Sequence, residues 1–191
     1  MRVIAGEFRG RTLRAPAGRS VRPTSDALRE TLFNVLGPSL DSAWMLDLYA
    51  GTGAVGIEAL SRGAARAAFV ESARAAAAAL QANLAALGLE PRARVFVQPV
   101  RLALARLEAD PEWTAHGAAL VFLDPPYVLA REYALTLEAL ARSGLLRPES
   151  LVVAEHAARD APAARFGRLF RTRELRQGDS VLSFYRCGED A

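Results

Sequence analysis

The sequence predicts a doubly wound α/β fold with a mostly parallel sheet, and three observations carry that prediction. Between residues 44 and 155, apolar runs of strand length alternate with alanine- and leucine-rich segments of helical length, the pattern of strand–helix–strand units. The runs Trp44–Tyr49 and Ala118–Leu123 are apolar almost throughout, as strands buried on both faces must be. The first run passes into Gly51-Thr52-Gly53-Ala54-Val55-Gly56, a strand–loop–helix junction of the kind that binds ligands at the end of a sheet strand.

With 191 residues, 51% of them apolar, the chain can bury one core. One domain over residues 1–191 is expected, with a basic arm at residues 1–20 as part of it. All 24 cations are Arg. Arg2, Arg9, Arg11, Arg14, Arg19 and Arg22 face only Glu7 in residues 1–22, a surplus of five positive charges; the other 18 Arg and 20 acids leave the body at −2. A basic arm on a near-neutral body is the footprint of a polyanion partner. One cysteine, Cys187, excludes an internal disulfide and fits a reducing compartment. No segment reaches the roughly 18 apolar residues of a membrane span, and the start lacks a signal peptide's apolar core. A cytoplasmic monomer is expected.

The elements follow in order. Residues 1–14 hold two short apolar stretches around Gly6 and Gly10, which predict a small hairpin arm. Ala15 to Ser20 is a connector containing Pro and Gly. A helix then opens at Arg22-Pro23-Thr24-Ser25-Asp26, capped by Thr24 or Ser25. Its core stripe is Leu28, Leu32 and Val35, and Gly37-Pro38 ends it. The first strand is about 44–49, with a helix over about 54–62 stopped by Gly63. Ala67–Glu71 is the second strand, Ser72–Leu87 the next helix and Arg94–Gln98 the third strand. A helix at about 100–108 precedes the fourth strand, Ala118–Leu123. Residues 130–142 are helical, and Leu151–Glu155 is the fifth strand. The tail, about Gly167–Glu174 and Ser180–Arg186, reads as an antiparallel hairpin turning at Gln177-Gly178-Asp179. It carries a second basic cluster: Arg165, Arg168, Arg171, Arg173 and Arg176.

Two stretches carry chemistry. Glycines at 51 and 53 let the backbone turn tightly beside a ligand, and the new helix points unpaired N–H groups at it. The spacing also matches the dinucleotide fingerprint G-x-G-x-x-G. Asp47, inside the strand four residues before Gly51, turns the reading from NAD toward a ligand with a cationic group, such as the ammonium of S-adenosylmethionine (SAM). Glu71, 18 residues after Gly53 and followed by Ser72, can accept both hydroxyls of a ribose. The fourth strand runs into Asp124-Pro125-Pro126-Tyr127. Paired prolines fix φ, remove two donors and hold Asp124 extended. A stiff ledge results, with a carboxylate, backbone carbonyls and an aromatic ring. Such a ledge suits methylation of an exocyclic amino group on a planar base. Asp124 and the Pro125 carbonyl accept its two N–H groups, Tyr127 stacks on the base, and neither metal nor covalent nucleophile is needed. His116 and His156 stand far apart with no Cys nearby, so both read as structural.

Leu46-Asp-Leu-Tyr-Ala-Gly-Thr-Gly53 and Asp124-Pro-Pro-Tyr127 resemble class I SAM-dependent methyltransferases, Rossmann-like enzymes, that act on amino nitrogens. Arg2-Val-Ile-Ala-Gly6, Arg9-Gly-Arg-Thr-Leu13, Arg22-Pro-Thr-Ser-Asp26 and Arg29-Glu-Thr-Leu-Phe33 narrow this further. Over nearly the whole chain it resembles the bacterial 16S ribosomal RNA (guanine-N2) methyltransferases. The resemblance implies a seven-stranded sheet with helices on both faces and a reversed last strand. It implies SAM as cofactor, held by Asp47, Tyr49, Ala50, Gly51, Thr52, Gly53, Glu71 and Ser72. It implies methyl transfer to one guanine of 16S rRNA in the assembled or late-assembling small subunit. Arg2, Arg9, Arg11, Arg14, Arg22 and Thr24 are the expected RNA contacts. In SAM sites the adenine sits just after the third strand, here near Val100 and Arg101. Gln98-Pro99-Val100-Arg101 lacks the acid many methyltransferases carry there, so its adenine contacts are expected from the backbone. Three other readings stay open. A DNA adenine-N6 or cytosine-N4 methyltransferase shares the ledge, but 191 residues leave no room for a separate target-recognition domain. An NAD(P) oxidoreductase shares the glycine loop but leaves Asp47 and Asp124 unexplained. A non-catalytic SAM-binding assembly factor shares both, with intact Asp124 and Tyr127 against it.

Overall fold

The computed structural model describes residues 1–15, 26–126 and 130–188, and the chain forms two compact units, residues 1–99 and 100–191. In the first unit the arm is a hairpin: Arg2 bridges Thr12, the Val3 N–H donates to the Arg11 carbonyl at 2.9 Å, and the Leu13 N–H donates to that of Met1 at 3.1 Å. Helix α1 (Asp26–Leu36) buries Leu28, Leu32, Phe33 and Leu36. The expected Val35 is only half-buried, because the stripe runs through Phe33 and Leu36 instead. The predicted caps Thr24 and Ser25 lie outside the described residues.

Strand β1 (Trp44–Leu48), helix α2 (Ala54–Ser61), strand β2 (Arg66–Val70), helix α3 (Arg74–Ala86) and strand β3 (Ala93–Phe96) follow. The strands lie in the order β3-β2-β1, and both pairs are parallel. Asp47 stands opposite Phe69, Leu48 opposite Val70, and Val70 opposite Phe96. The strand ends that feed the glycine loop and Glu71 are therefore side by side. All five β1 residues and all eight α2 residues are buried, as a parallel sheet under helices requires. Helix α3 starts two residues later than the sequence predicts. Glu71 Oε1 accepts the Ala73 N–H at 2.7 Å, which turns the chain before the helix begins.

The second unit holds helix α4 (Val100–Glu108), helix α5 (Pro111–His116), strand β4 (Ala118–Leu123), helix α6 (Ala130–Arg142) and strands β5 (Leu146–Ala157), β6 (Arg165–Phe166), β7 (Leu169–Gln177) and β8 (Ser180–Cys187). The strand order is β4-β5-β8-β7-β6. Strands β4 and β5 are parallel, and β8 is reversed against both β5 and β7. The seven strands implied by the resemblance are present, and two-residue β6 adds an edge to the tail hairpin. Two elements depart from expectation. Helix α5 is new: the Asp110 side chain accepts the N–H groups of Glu112 and Trp113, with Pro111 in the first turn. Strand β5 begins five residues early, through a bulge. There the Ser150 hydroxyl accepts the Arg147 N–H at 2.7 Å and donates to the Ala118 carbonyl at 2.6 Å.

The tail's basic cluster is largely structural. Arg168 donates to the carbonyls of Ala141 and Ser143 at 2.9 and 2.8 Å. Arg171 pairs with Glu174 at 2.9 Å, while Arg165 and Arg173 lie over the rings of Phe170 and Phe184. His156 is fully buried, its Nε2 2.8 Å from Ser183 Oγ and its Nδ1 2.8 Å from the Ala157 carbonyl.

Candidate functional site

In the first unit, the turn after β1 is made from residues that adopt left-handed backbone. Gly51 and Gly53 have φ of 56° and 81°, and Tyr49 has φ of 64°. A non-glycine residue there costs of order 1–3 kcal/mol and is held by its surroundings. The holding bonds are the Ala50 N–H to the Val70 carbonyl at 2.9 Å and the Gly53 N–H to the Ala50 carbonyl at 2.7 Å. The glycines differ in what they face. A Cβ on Gly53 would sit 2.2 Å from Leu80 Cδ1, and one on Gly56 2.2 Å from Phe69 Cε1. These two glycines let the loop and α2 press onto α3 and β2. A Cβ on Gly51 would meet no described atom within 4 Å.

Glu71 braces this turn. Its Oε2 accepts the Gly51 N–H at 2.8 Å and its Oε1 that of Ala73. A carboxylate has about four acceptor positions, so Glu71 keeps capacity for the paired hydroxyls of a ribose. Ser72 beside it is exposed, and Tyr49, Ala50, Gly51 and Thr52 are half-buried. The first unit thus brings Tyr49, Ala50, Gly51, Thr52, Glu71 and Ser72 together at the ends of β1 and β2, with acceptor capacity left on Glu71 that fits a ribose.

Asp47 lies under the turn rather than on it. It is 2% exposed, and its Oδ2 accepts the Gly56 N–H at 2.8 Å, in the first turn of α2. Burial pushes its carboxyl from 3.8 up to about 7; the Gly56 bond opposes this and the nearby Glu71 charge adds to it. Asp47 is therefore both a brace for the helix start and a carboxyl that a cationic neighbour would ionise.

In the second unit, β4 delivers Asp124 and Pro125 at its carboxyl end, paired through Leu123 with Ala154 of β5. Asp124 is half-buried, Pro125 buried and Pro126 exposed, all in extended or irregular backbone. Tyr127 lies outside the described residues. Val100 and Arg101 open α4; Val100 is buried and Arg101 is exposed, so of these two only the Arg101 side chain faces solvent.

The arm is fixed to α2 through its main chain. Glu58 Oε2 and Oε1 accept the N–H groups of Ile4 and Ala5 at 2.7 and 3.0 Å. Ser61 Oγ accepts the Phe8 N–H at 3.0 Å and donates to the Ala5 carbonyl at 2.6 Å. The Ser61 carbonyl accepts the Glu7 N–H at 2.8 Å. A Cβ on Gly6 would lie 1.8 Å from that carbonyl, so position 6 must lack a side chain. The buried guanidinium of Arg29 completes the anchor, donating to the Arg2 carbonyl at 2.9 Å and to Asp26 at 2.5 Å. With the backbone held, Arg2, Arg9, Arg11 and Arg14 are exposed, and Arg2 lies 3.9 Å from Asp26. Arg22 and Thr24 lie outside the described residues. Glu58, Ser61 and Asn83 are absent from the sequence expectations, their signal being a polar side chain on an otherwise apolar helix face; Arg29 enters there only as the start of the Arg29-Glu-Thr-Leu-Phe33 motif.

A family model described as "Conserved hypothetical protein 95" matches residues 1–186. The chain is 38% identical over 186 residues to a Bacillus subtilis (strain 168) protein named "Putative rRNA methyltransferase YlbH", covering 97% of this chain and 98% of that one. It is 41% identical over 157 residues to "Ribosomal RNA small subunit methyltransferase D" of Escherichia coli (strain K12), covering 81% of this chain and 74% of that one. Among solved structures it is similar to one described as "Putative methyltransferase yhhF from Escherichia coli", with a TM-score of 0.82, 33% identity and coverage of 98% and 97%.

Proposed function

The chain belongs to the family described as conserved hypothetical protein 95, and from that premise we propose that it methylates the exocyclic N2 amino group of one guanine in 16S rRNA. SAM supplies a sulfonium-activated methyl group. The relatives reported above carry the names "Putative rRNA methyltransferase YlbH" and "Ribosomal RNA small subunit methyltransferase D", which supports the RNA class of the substrate. The observation that carries the reading from this chain is the strained turn at Tyr49–Gly53, braced by Glu71 and lying at the end of a parallel strand as Asp124-Pro125 does.

In this reading Gly51, Thr52 and Gly53 offer backbone to the methionine part of SAM, with Tyr49 and Ala50 setting the turn. Asp47 meets the ammonium electrostatically. Glu71 and Ser72 take the ribose, and Val100 and Arg101 flank the adenine. Asp124 and the Pro125 carbonyl accept the two N–H bonds of the guanine amino group. They favour the pyramidal nitrogen whose lone pair is released from the ring. Pro126 stiffens the ledge and Tyr127 stacks on the base. Holding the nitrogen in line with the methyl group is the main catalytic act, and alignment can supply roughly 7–11 kcal/mol. Arg2, Arg9, Arg11, Arg14, Arg22 and Thr24 grip the rRNA backbone. A loop guanine on the small subunit can be splayed out more cheaply than a paired base. The 191 residues act as one methyltransferase domain, a monomer working in the cytoplasm; no helix among the described residues is long and apolar enough to cross a membrane.

The test is labelled-methyl transfer from SAM to small subunits lacking the modification, deproteinised 16S RNA and duplex DNA, with product nucleosides identified by mass spectrometry. N2-methylguanosine chiefly on the subunits is expected. Methyladenine or methylcytosine in DNA would overturn the substrate, and SAM binding without transfer would overturn the activity.

A further inference from the structure

Helix α3 presents Ala76, Ala77, Leu80, Asn83 and Leu84 to the interior of its unit. Asn83 is the one polar side chain on that face and is 2% exposed. A carboxamide buried among Ala and Leu is costly unless bonded, and three of its bonds are made. Oδ1 accepts the Arg14 N–H at 2.7 Å, and Nδ2 donates to the Arg14 carbonyl at 3.1 Å and the Thr52 carbonyl at 3.0 Å. One main-chain donor and two carbonyls fix which end is oxygen and which is nitrogen. One turn earlier, Leu80 fills the space beside Gly53. A single buried side chain thus clamps the last strand of the arm and the glycine turn together.

We propose that Asn83 is a positioning residue that couples the docking of the arm to the SAM affinity of the glycine turn. The inference rests on the reading that the turn holds SAM and that the arm holds rRNA. Arg14 carries one of the exposed guanidinium groups, and its own main chain is what Asn83 grips. Ordering Arg14 on a phosphate backbone therefore orders Asn83, and with it the Thr52 carbonyl. Coupling between two sites is reciprocal in binding free energy, so SAM equally steadies the arm. The arm becomes the means by which an engaged RNA prepares the cofactor turn.

The experiment is a double-variant cycle on the full chain, with SAM affinity read by calorimetry. Gly6→Ala loosens the hairpin at its turn end, since the new Cβ would strike the Ser61 carbonyl; Ser61→Ala loosens the same dock more gently should Gly6→Ala not fold. Asn83→Ala removes the clamp. Each single change is expected to weaken SAM binding on the order of five-fold, about one hydrogen bond's worth. The double variant is expected to bind no more weakly than Asn83→Ala alone. Coupling that ran through α2 instead would make the two losses multiply, and that result would overturn the inference, as would an arm-loosening change without effect on SAM. A second readout is amide exchange at Arg14. SAM is expected to slow it in the parent protein and to leave it unchanged in Asn83→Ala; equal protection in both refutes the clamp. Both readouts use the protein without RNA. A failure of methyl transfer to 16S rRNA would therefore strike the substrate reading and leave this cycle still decisive.

Discussion

Asp124 and Asp47 stand at the ends of comparable strands yet have opposite surroundings, and that difference sets what each substitution does. Asp124 is half-buried on the proline ledge and is proposed to touch the base, not the cofactor. Asp124→Ala should lower methyl transfer by at least about 100-fold while SAM affinity stays within about two-fold; equal loss of both would reassign Asp124 to the cofactor. Asp47 is buried with its carboxyl raised to about 7. Because the folded state holds this proton more tightly than the unfolded chain, its stabilising contribution is whole below pH ~4 and is lost as pH rises through about 7. Denaturant melts across that window should show a fall of at most about 4 kcal/mol, and Asp47→Asn should lack it. SAM affinity should rise from pH 6 to 7.5 in the parent protein, since a cationic ligand favours the ionised carboxyl, and the rise should vanish in Asp47→Asn. Gly53→Ala should cost about 1–3 kcal/mol, through its φ of 81° and the approach of Leu80; an unshifted melting temperature would contradict the tight fit.

At the scale of elements, the arm is the part whose role depends most on how it is held. Replacing Arg9, Arg11 and Arg14 with Ala should weaken subunit binding and flatten its salt dependence, by roughly 0.7 in logarithmic slope for each phosphate left without its arginine. An unchanged slope would reduce the arm to a surface tail. Glu58→Ala should act differently. It strips the Ile4 and Ala5 amides of their acceptor and leaves Arg29 buried with less compensation. Exchange at those two amides should become fast even with every arm cation intact. These elements also show what the sequence reveals and why. The hairpin, the glycine turn and Glu71 are legible because glycine spacing and strand-end acids act locally. Glu58, Ser61 and Asn83 are not, because their partners lie 31 to 69 residues away and no local pattern encodes a long-range dock. Helix α5 was not anticipated, because six residues are too few for periodicity to signal, although Asp110-Pro111 supplies a cap followed by a first-turn proline. The early start of β5 depends on Ser150 bridging to Ala118, a bulge that Arg147-Pro148-Glu149-Ser150 disguises as a loop.

For the whole molecule, the alternation of buried strands and helices was enough to predict the α/β class, since parallel strands read as unbroken apolar runs. The charge pattern was legible too, with five surplus positive charges in residues 1–22 on a slightly acidic body. Much of the tail's basic cluster, by contrast, proves to be consumed by carbonyls, Glu174 and aromatic rings, a distinction that composition alone does not contain.

The dock between arm and α2 has one more consequence, for engineering. The bonds of Glu58 and Ser61 to Ile4, Ala5, Glu7 and Phe8 run to main-chain atoms and do not read side chains, while Val3 and Leu13 bury theirs in the core. Gly6 is required for lack of room, and Gly10 is favoured by its φ of 82°. The hairpin is thereby an interchangeable adaptor. Its outward residues can be redrawn, or a relative's hairpin grafted in, to aim the same chemistry at a different stem or loop.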